Sequence, residues 1–449
     1  MIAWVTLARR AGRELLAPRS GVFATLQTLL TQGGILLVNM ATGVITARML
    51  GPAGRGEFSA ACLWLALTPM VAIAGASNAV IYFTGRDPAQ AARVGIVALL
   101  YAMAVFIPLA TLAYWFMPEL MHDYRPEIVS LARAIVVLSV INVWSVMGRQ
   151  CLLAEKDYRA FNLAGYASTF LYLLLLLVIV AFKAMTPRTA ALAQVLGVTI
   201  VLIPVGVLVS LTWRRRRAWA RCSVWEVLIY SAKAAPIDFI NVLASNIDRV
   251  VLVSLVSAHE FGLYSVAISF ARILYVLHIV LSTVMLTELA AKGAAEIEFV
   301  VHWVFRVLLW GLGLVFAVAL LTDVQLLSWV YGPKFAEAAP VFRVLLLEAI
   351  IGNFAYMLFQ AYLAAGRPGL PSLVQTASFV VAVVGVLLLA PKFGGMGAAM
   401  ALTIASTFRF AWLFLSLGRI GVRLPSPIPH LRDLEPIRRL VQAKIAGRT

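Results

Sequence analysis

Eight cationic side chains lie inside long apolar stretches of the chain: Arg133, Arg149, Lys233, Arg249, Arg272, Arg306, Arg343 and Arg409. A positive charge at the centre of a bilayer costs roughly 2.5–3.5 kcal/mol on insertion scales, so such groups line a wet cavity, pair with acids or reach a headgroup. In a cavity, arginine grips two phosphate oxygens at once and stays charged. The chemistry on offer is therefore anion binding. Lys233, Arg272 and Arg409 are the leading candidates to hold a phosphate. Arg133, Arg149, Arg306 and Arg343 fall nearer the ends of their stretches, where snorkelling to the interface is expected. Arg249 stands beside Asp248 near one end, which predicts structural pairing or snorkelling.

A polar stripe accompanies the cations. Asp238, Asn241, Ser245 and Asp248 are spaced by three, four and three, so they share one helical face, with Lys233 and Arg249 off that stripe. Thr28, Gln32, Asn39, Thr42 and Thr46 form a milder stripe, and Ser265, Ser269 and Arg272 a third. Asn241, Ser245, Gln32 and Asn39 can serve sugar hydroxyls or a gate. The first stripe can equally be neutralised by Lys233 or Arg249 between packed helices, and the milder one can glue helices together. Asp238 or Asp248 could also bind a coupling H⁺ or Na⁺. Nothing catalytic converges: there is no P-loop, no Ser/His/Asp set, and no metal spacing among five histidines and Cys62, Cys151 and Cys222. A non-enzyme without a cofactor is expected.

These residues must be positioned by membrane helices. The 449 residues are 62% hydrophobic and 13% charged, with mean hydropathy +0.93. Apolar runs of about twenty residues recur throughout, and the ten-residue alternation of a barrel is absent. Twelve spans are expected, near 22–47, 57–84, 93–117, 127–153, 159–183, 189–213, 226–256, 260–290, 298–322, 338–365, 371–390 and 395–419. With the N-terminus inside, 22 Lys and Arg fall in cytoplasmic segments against 7 on the opposite side, which predicts both termini in the cytoplasm. The net charge of +17 follows from this topology bias and needs no nucleic-acid partner. The expected fold is an all-α polytopic membrane protein of two six-helix bundles. Residues 1–21 would form a cytoplasmic amphipathic segment, 22–213 the first bundle, 214–225 a basic linker, 226–419 the second bundle and 420–449 a basic tail.

An internal repeat supports the division. Gly56, Phe58, Ser59 and Ala61 open the second span, and Gly262, Tyr264, Ser265 and Ala267 open the eighth at a constant offset of 206. Six spans per half preserve orientation, so the halves would be related by a pseudo-two-fold axis along the membrane normal, with cargo near the midplane between them.

Four stretches carry a family resemblance: Ala47-Arg48-Met49-Leu50-Gly51-Pro52 with Gly54-Arg55-Gly56-Glu57-Phe58; Asn246-Ile247-Asp248-Arg249 with Gly262-Leu263-Tyr264-Ser265; Tyr331-Gly332-Pro333-Lys334-Phe335 with Ala338-Ala339-Pro340; and Leu363-Ala364-Ala365-Gly366-Arg367-Pro368 with Gly394-Gly395-Met396-Gly397-Ala398-Ala399. In order and spacing they resemble the Wzx-like flippases, the polysaccharide-transporter branch of the multidrug/oligosaccharidyl-lipid/polysaccharide exporter superfamily. The resemblance implies two bundles in a V, a cavity facing one side at a time, and movement of an undecaprenyl-pyrophosphate-linked oligosaccharide across the inner membrane. It also implies a polysaccharide polymerase and chain-length proteins as partners. Related lipid II flippases usually carry two further C-terminal helices, so a chain of twelve spans points away from them.

Two other readings fit less well. A cation-coupled multidrug exporter would need membrane carboxylates, and the first six spans hold no Asp or Glu beyond their edges. A polysaccharide polymerase or ligase usually carries a large external loop, whereas the longest external connection here, about 323–337, is short.

Overall fold

The structure, a computed structural model, describes residues 21–215, 223–278, 281, 285 and 294–428. The expected amphipathic segment 1–21 (save Gly21), most of the linker 214–225 and most of the tail 420–449 lie outside the described residues. Every regular element among the described residues is helical, and ten helical stretches are long and apolar enough to cross a bilayer.

Two stretches are too long for one crossing. Gly21–Ala72 has 52 residues, about 80 Å if straight, against a hydrocarbon core of about 30 Å. Gly51 (φ 67°) breaks it, and Gly394 (φ 54°) breaks Gly369–Leu415 in the same way. Both adopt left-handed backbone, which glycine reaches without a Cβ clash. Each break separates two crossings, which brings the count to twelve among the described residues.

The ninth span is longer than the sequence predicts. It runs Ala294–Tyr331 rather than 298–322, so the connection expected at 323–337 shrinks to Gly332 and the short turn Pro333–Ala338. The physical reason is an ion pair. Asp323, 2% exposed, is gripped through both carboxylate oxygens by Arg343 of the tenth span, Nη2 donating to Oδ1 at 3.1 Å and Nε donating to Oδ2. Neutralised this way, Asp323 no longer ends the span, and Arg343 is a partner to an acid rather than a snorkelling cation.

The repeat in the sequence becomes a contact in space. A Cβ at Gly56 would overlap the carbonyl oxygen of Ala258, and a Cβ at Gly262 would overlap that of Pro52. Both pairs are related by the same offset of 206. The second and eighth spans therefore cross backbone to backbone on the pseudo-two-fold axis. Small residues permit such an approach in membranes, where dispersion rather than hydrophobicity drives helices together. Arg48 crosses the same seam, donating from Nε to the Val330 carbonyl (2.8 Å) and from Nη2 to that of Trp329.

The halves also meet at the opposite end of the second span. There the helix breaks at Gly75 (φ 76°) before resuming as Ala76–Arg86. This stretch lies against Val224–Ala244 of the seventh span, and a Cβ at Gly75 would overlap the Ser231 carbonyl oxygen.

Candidate functional site

The seventh and eighth spans are both discontinuous, and at adjacent levels. The seventh divides into Val224–Ala244 and Ile247–Leu255 around Ser245 and Asn246. The eighth passes from Ala258–Ala271 into a 3₁₀ turn, Arg272–Tyr275. A broken helix frees carbonyls that must find donors. Arg272 supplies one, its Nη2 donating to the Ser245 carbonyl at 3.2 Å while lying 4.0 Å from Asp248 Oδ2.

Beside these breaks lies a cavity of about 520 Å³, within the range of small-molecule sites. Its lining includes Asn241, Ser245, Arg272 and Arg409, so four of the residues singled out in the sequence converge. Arg409 donates from Nη1 to Gln375 Oε1 at 2.9 Å, and its buried Nε has no partner. All the lining comes from the seventh, eighth, tenth, eleventh and twelfth spans. Among the described residues the site is thus built on the second half, not shared between halves as the repeat suggested.

The remaining sequence candidates lie elsewhere. Lys233 is exposed on the seventh span and does not line the cavity. Asp238 is half-buried and links the two halves: its Oδ2 accepts from the Gly75 N–H and from Asn78 Nδ2, both at 2.8 Å. Asp248 is fully buried and accepts from the Tyr264 hydroxyl at 2.7 Å. The expected pairing of Asp248 with Arg249 is not formed, and Arg272 is the cation that faces it. Neighbouring positions on a helix point about 100° apart, so adjacency in sequence does not make a pair. Gln32 is half-buried and Asn39 exposed, and neither lines the cavity. Their stripe serves the helix itself, with Thr42 and Thr46 donating back to the Asn39 and Thr42 carbonyls and Arg55 donating to the Thr46 hydroxyl.

Besides Arg343, two more of the cations expected to snorkel do not. Arg149 stacks over Phe161 at 4.7 Å with its Nε buried, and Arg306 is 7% exposed. Arg133 donates to the Tyr114 carbonyl and stacks on that ring at 4.8 Å.

Sequence reasoning missed the acid of the site. Glu348, 9% exposed in the tenth span, accepts from the Tyr275 hydroxyl at 2.9 and 3.0 Å and from the Ser406 hydroxyl at 2.7 Å. A lone glutamate within an apolar span was the available signal. An aromatic column was missed as well: His278 stacks between Tyr275 (4.6 Å) and Tyr356 (4.1 Å), and Tyr356 continues to Phe359. Arg272 is offset by Asp248 and Glu348 is held by two hydroxyls, which leaves Arg409, bonded to the neutral Gln375, as the lining cation without an acid among the described residues and the group suited to an anion. Its aromatic faces, hydroxyls and amides suit a sugar.

No curated protein matches the sequence. Among solved structures, the chain is similar to the lipid II flippase MurJ in an inward closed conformation, with TM-score 0.70 at 12% identity, covering 88% of this chain and 87% of that one. It is similar to an inward-facing multidrug resistance MATE family transporter of the MOP superfamily, with TM-score 0.66 at 15% identity over 92% of this chain and 98% of that one. The outward-facing form of such a transporter gives TM-score 0.58 at 14% identity, covering 90% and 96%. At these identities the likeness establishes the fold alone, the one these structures share. A family model described as polysaccharide biosynthesis protein matches residues 45–340, about two thirds of the chain, and to that family the chain belongs.

Proposed function

We propose that this protein translocates an undecaprenyl-pyrophosphate-linked oligosaccharide across the bacterial inner membrane by alternating access, for surface polysaccharide synthesis. The observation that carries the reading is the convergence of Arg272 and Arg409 with an aromatic column in one cavity of a polysaccharide-biosynthesis chain. The arginines hold the pyrophosphate, and the aromatic faces, Asn241, Ser245 and Gln375 hold the sugar. The lipid tail stays in the bilayer. Both termini are cytoplasmic in this reading, which puts the Gly56/Gly262 seam on the periplasmic side and the Gly75/Asp238 seam on the cytoplasmic side. Polysaccharide polymerase and chain-length proteins would act on the delivered product.

Arg409→Ala tests the reading. It removes a cavity cation whose one hydrogen bond here is to another lining residue, so the protein should accumulate normally. Cells should build up cytoplasm-facing lipid-linked oligosaccharide, with surface polysaccharide reduced about tenfold, the equivalent of one lost charge-assisted contact. Normal polysaccharide output from that variant would overturn the cavity role. Glu348 favours a second reading, a cation-coupled exporter, since a cavity carboxylate can take a cation or a coupling H⁺ or Na⁺. Loss of drug efflux in Glu348→Gln with polysaccharide output intact would select it.

A further inference from the structure

A second recess lies outside the cavity, where the second and seventh spans meet. It is an open groove of about 420 Å³ lined by Asn78, Ile81, Tyr82, Tyr230, Ala234 and Ile237. Ile81 and Ile237 are exposed, 41% and 66%. Tyr82 and Tyr230 stack at 4.7 Å with ring planes 17° apart, and the Arg86 guanidinium lies 4.6 Å over the Tyr82 ring. One end of the groove is thus a cation on an aromatic pair.

Lys233 supplies a second cation. Residues 230, 233, 234 and 237 fall on one face of the helix Val224–Ala244, so Lys233 stands on the same side as three of the lining residues. It is exposed, and its helix also exposes Trp225, Ile229 and Phe239. Neither Arg86 nor Lys233 has an acidic side-chain partner among the described residues. The nearby acids are engaged or solvated. Asp238 accepts from Gly75 and Asn78, Asp87 accepts from the Ala89 N–H and Gln90 Nε2, and Glu226 is exposed in the first turn of the seventh span. Two cations beside an exposed, apolar groove on membrane-spanning helices suit an anion that carries its own hydrocarbon.

We propose that this groove binds an acidic glycerophospholipid. Its phosphate sits between Arg86 and Lys233, one acyl chain follows Ile81, Tyr82, Tyr230 and Ile237, and the bound lipid staples the second and seventh spans together. The one amide of the groove, Asn78, is already engaged by Asp238, so the site is assigned to membrane lipid rather than to cargo.

The test uses the purified full chain in a neutral detergent, with phosphatidylglycerol or phosphatidylcholine added and retained lipid counted by native mass spectrometry. Phosphatidylglycerol should be retained as one tightly held molecule and raise the unfolding temperature, whereas phosphatidylcholine does neither. Arg86→Gln or Lys233→Gln should each weaken retention several-fold, Lys233→Arg should preserve it, and the double Gln variant should abolish it. Arg188→Gln combined with Lys392→Gln, two cations elsewhere, should leave it intact. All these side chains are exposed, so monodisperse variants are expected. Equal retention by the double variant, equal loss in the control pair, or tighter binding of a polyprenyl phosphate than of phosphatidylglycerol would overturn the proposal.

Discussion

The two halves of the molecule meet at two seams built on different principles. At Gly56 and Gly262, backbone lies on backbone around the pseudo-two-fold axis, and no side chain intervenes. At Gly75, whose backbone also meets the Ser231 carbonyl, the contact is completed by removable groups: a carboxylate that caps the broken end of the second span, and the Tyr82–Tyr230 stack. A fully packed backbone contact has no intermediate setting, because interiors are close-packed and resist insertion. The Asp238 seam can be undone one interaction at a time. In the alternating-access cycle proposed above, the first would behave as a stop and the second as a latch.

The difference can be broken from either side. The largest effect belongs to Gly56→Val, with Gly262→Val its symmetry mate. Either forces a side chain into a facing carbonyl, at about 1–3 kcal/mol or more for overpacking. Labelling of a cysteine at the buried Ser265 by an impermeant maleimide should rise tenfold or more. Unchanged labelling would mean that the glycines do not close the seam. An intermediate effect belongs to Asp238→Ala, which removes two charge-assisted hydrogen bonds. Such bonds contribute about 1.5–3 kcal/mol, so cross-linking between cysteines at Ile81 and Ala234 should fall at least several-fold while labelling at Ser265 is unmoved. The smallest belongs to Tyr82→Leu. It keeps apolar area but loses stacking of about 0.5–1.5 kcal/mol, so the same cross-link should weaken only a few-fold.

Much of this was legible in the chain. The constant offset of 206 named the two glycines that meet on the axis, because a duplicated half places equivalent residues symmetrically about it. The intramembrane cations pointed to Arg272 and Arg409, and both line the cavity. What was not legible is how helices rotate and break. Lys233 lies in the same apolar context as Arg272, yet faces outward, since span membership does not fix azimuth. Asp248 was paired by adjacency with Arg249, but the pairing that formed required the 3₁₀ turn that brings Arg272 across to the break at Ser245. Glu348 went unremarked because its partners, Tyr275 and Ser406, lie 73 and 58 residues away.

The central claim is that the second-half cavity holds the anionic head group while the seams open and close around it. Its most direct test is translocation of a fluorescent lipid-linked oligosaccharide in proteoliposomes, comparing the wild-type chain with the Arg272→Gln, Arg409→Gln double variant. The double variant should fold and insert yet translocate at least tenfold more slowly, with excess inorganic pyrophosphate inhibiting the wild type but not the residual rate. Wild-type translocation by the double variant would contradict it.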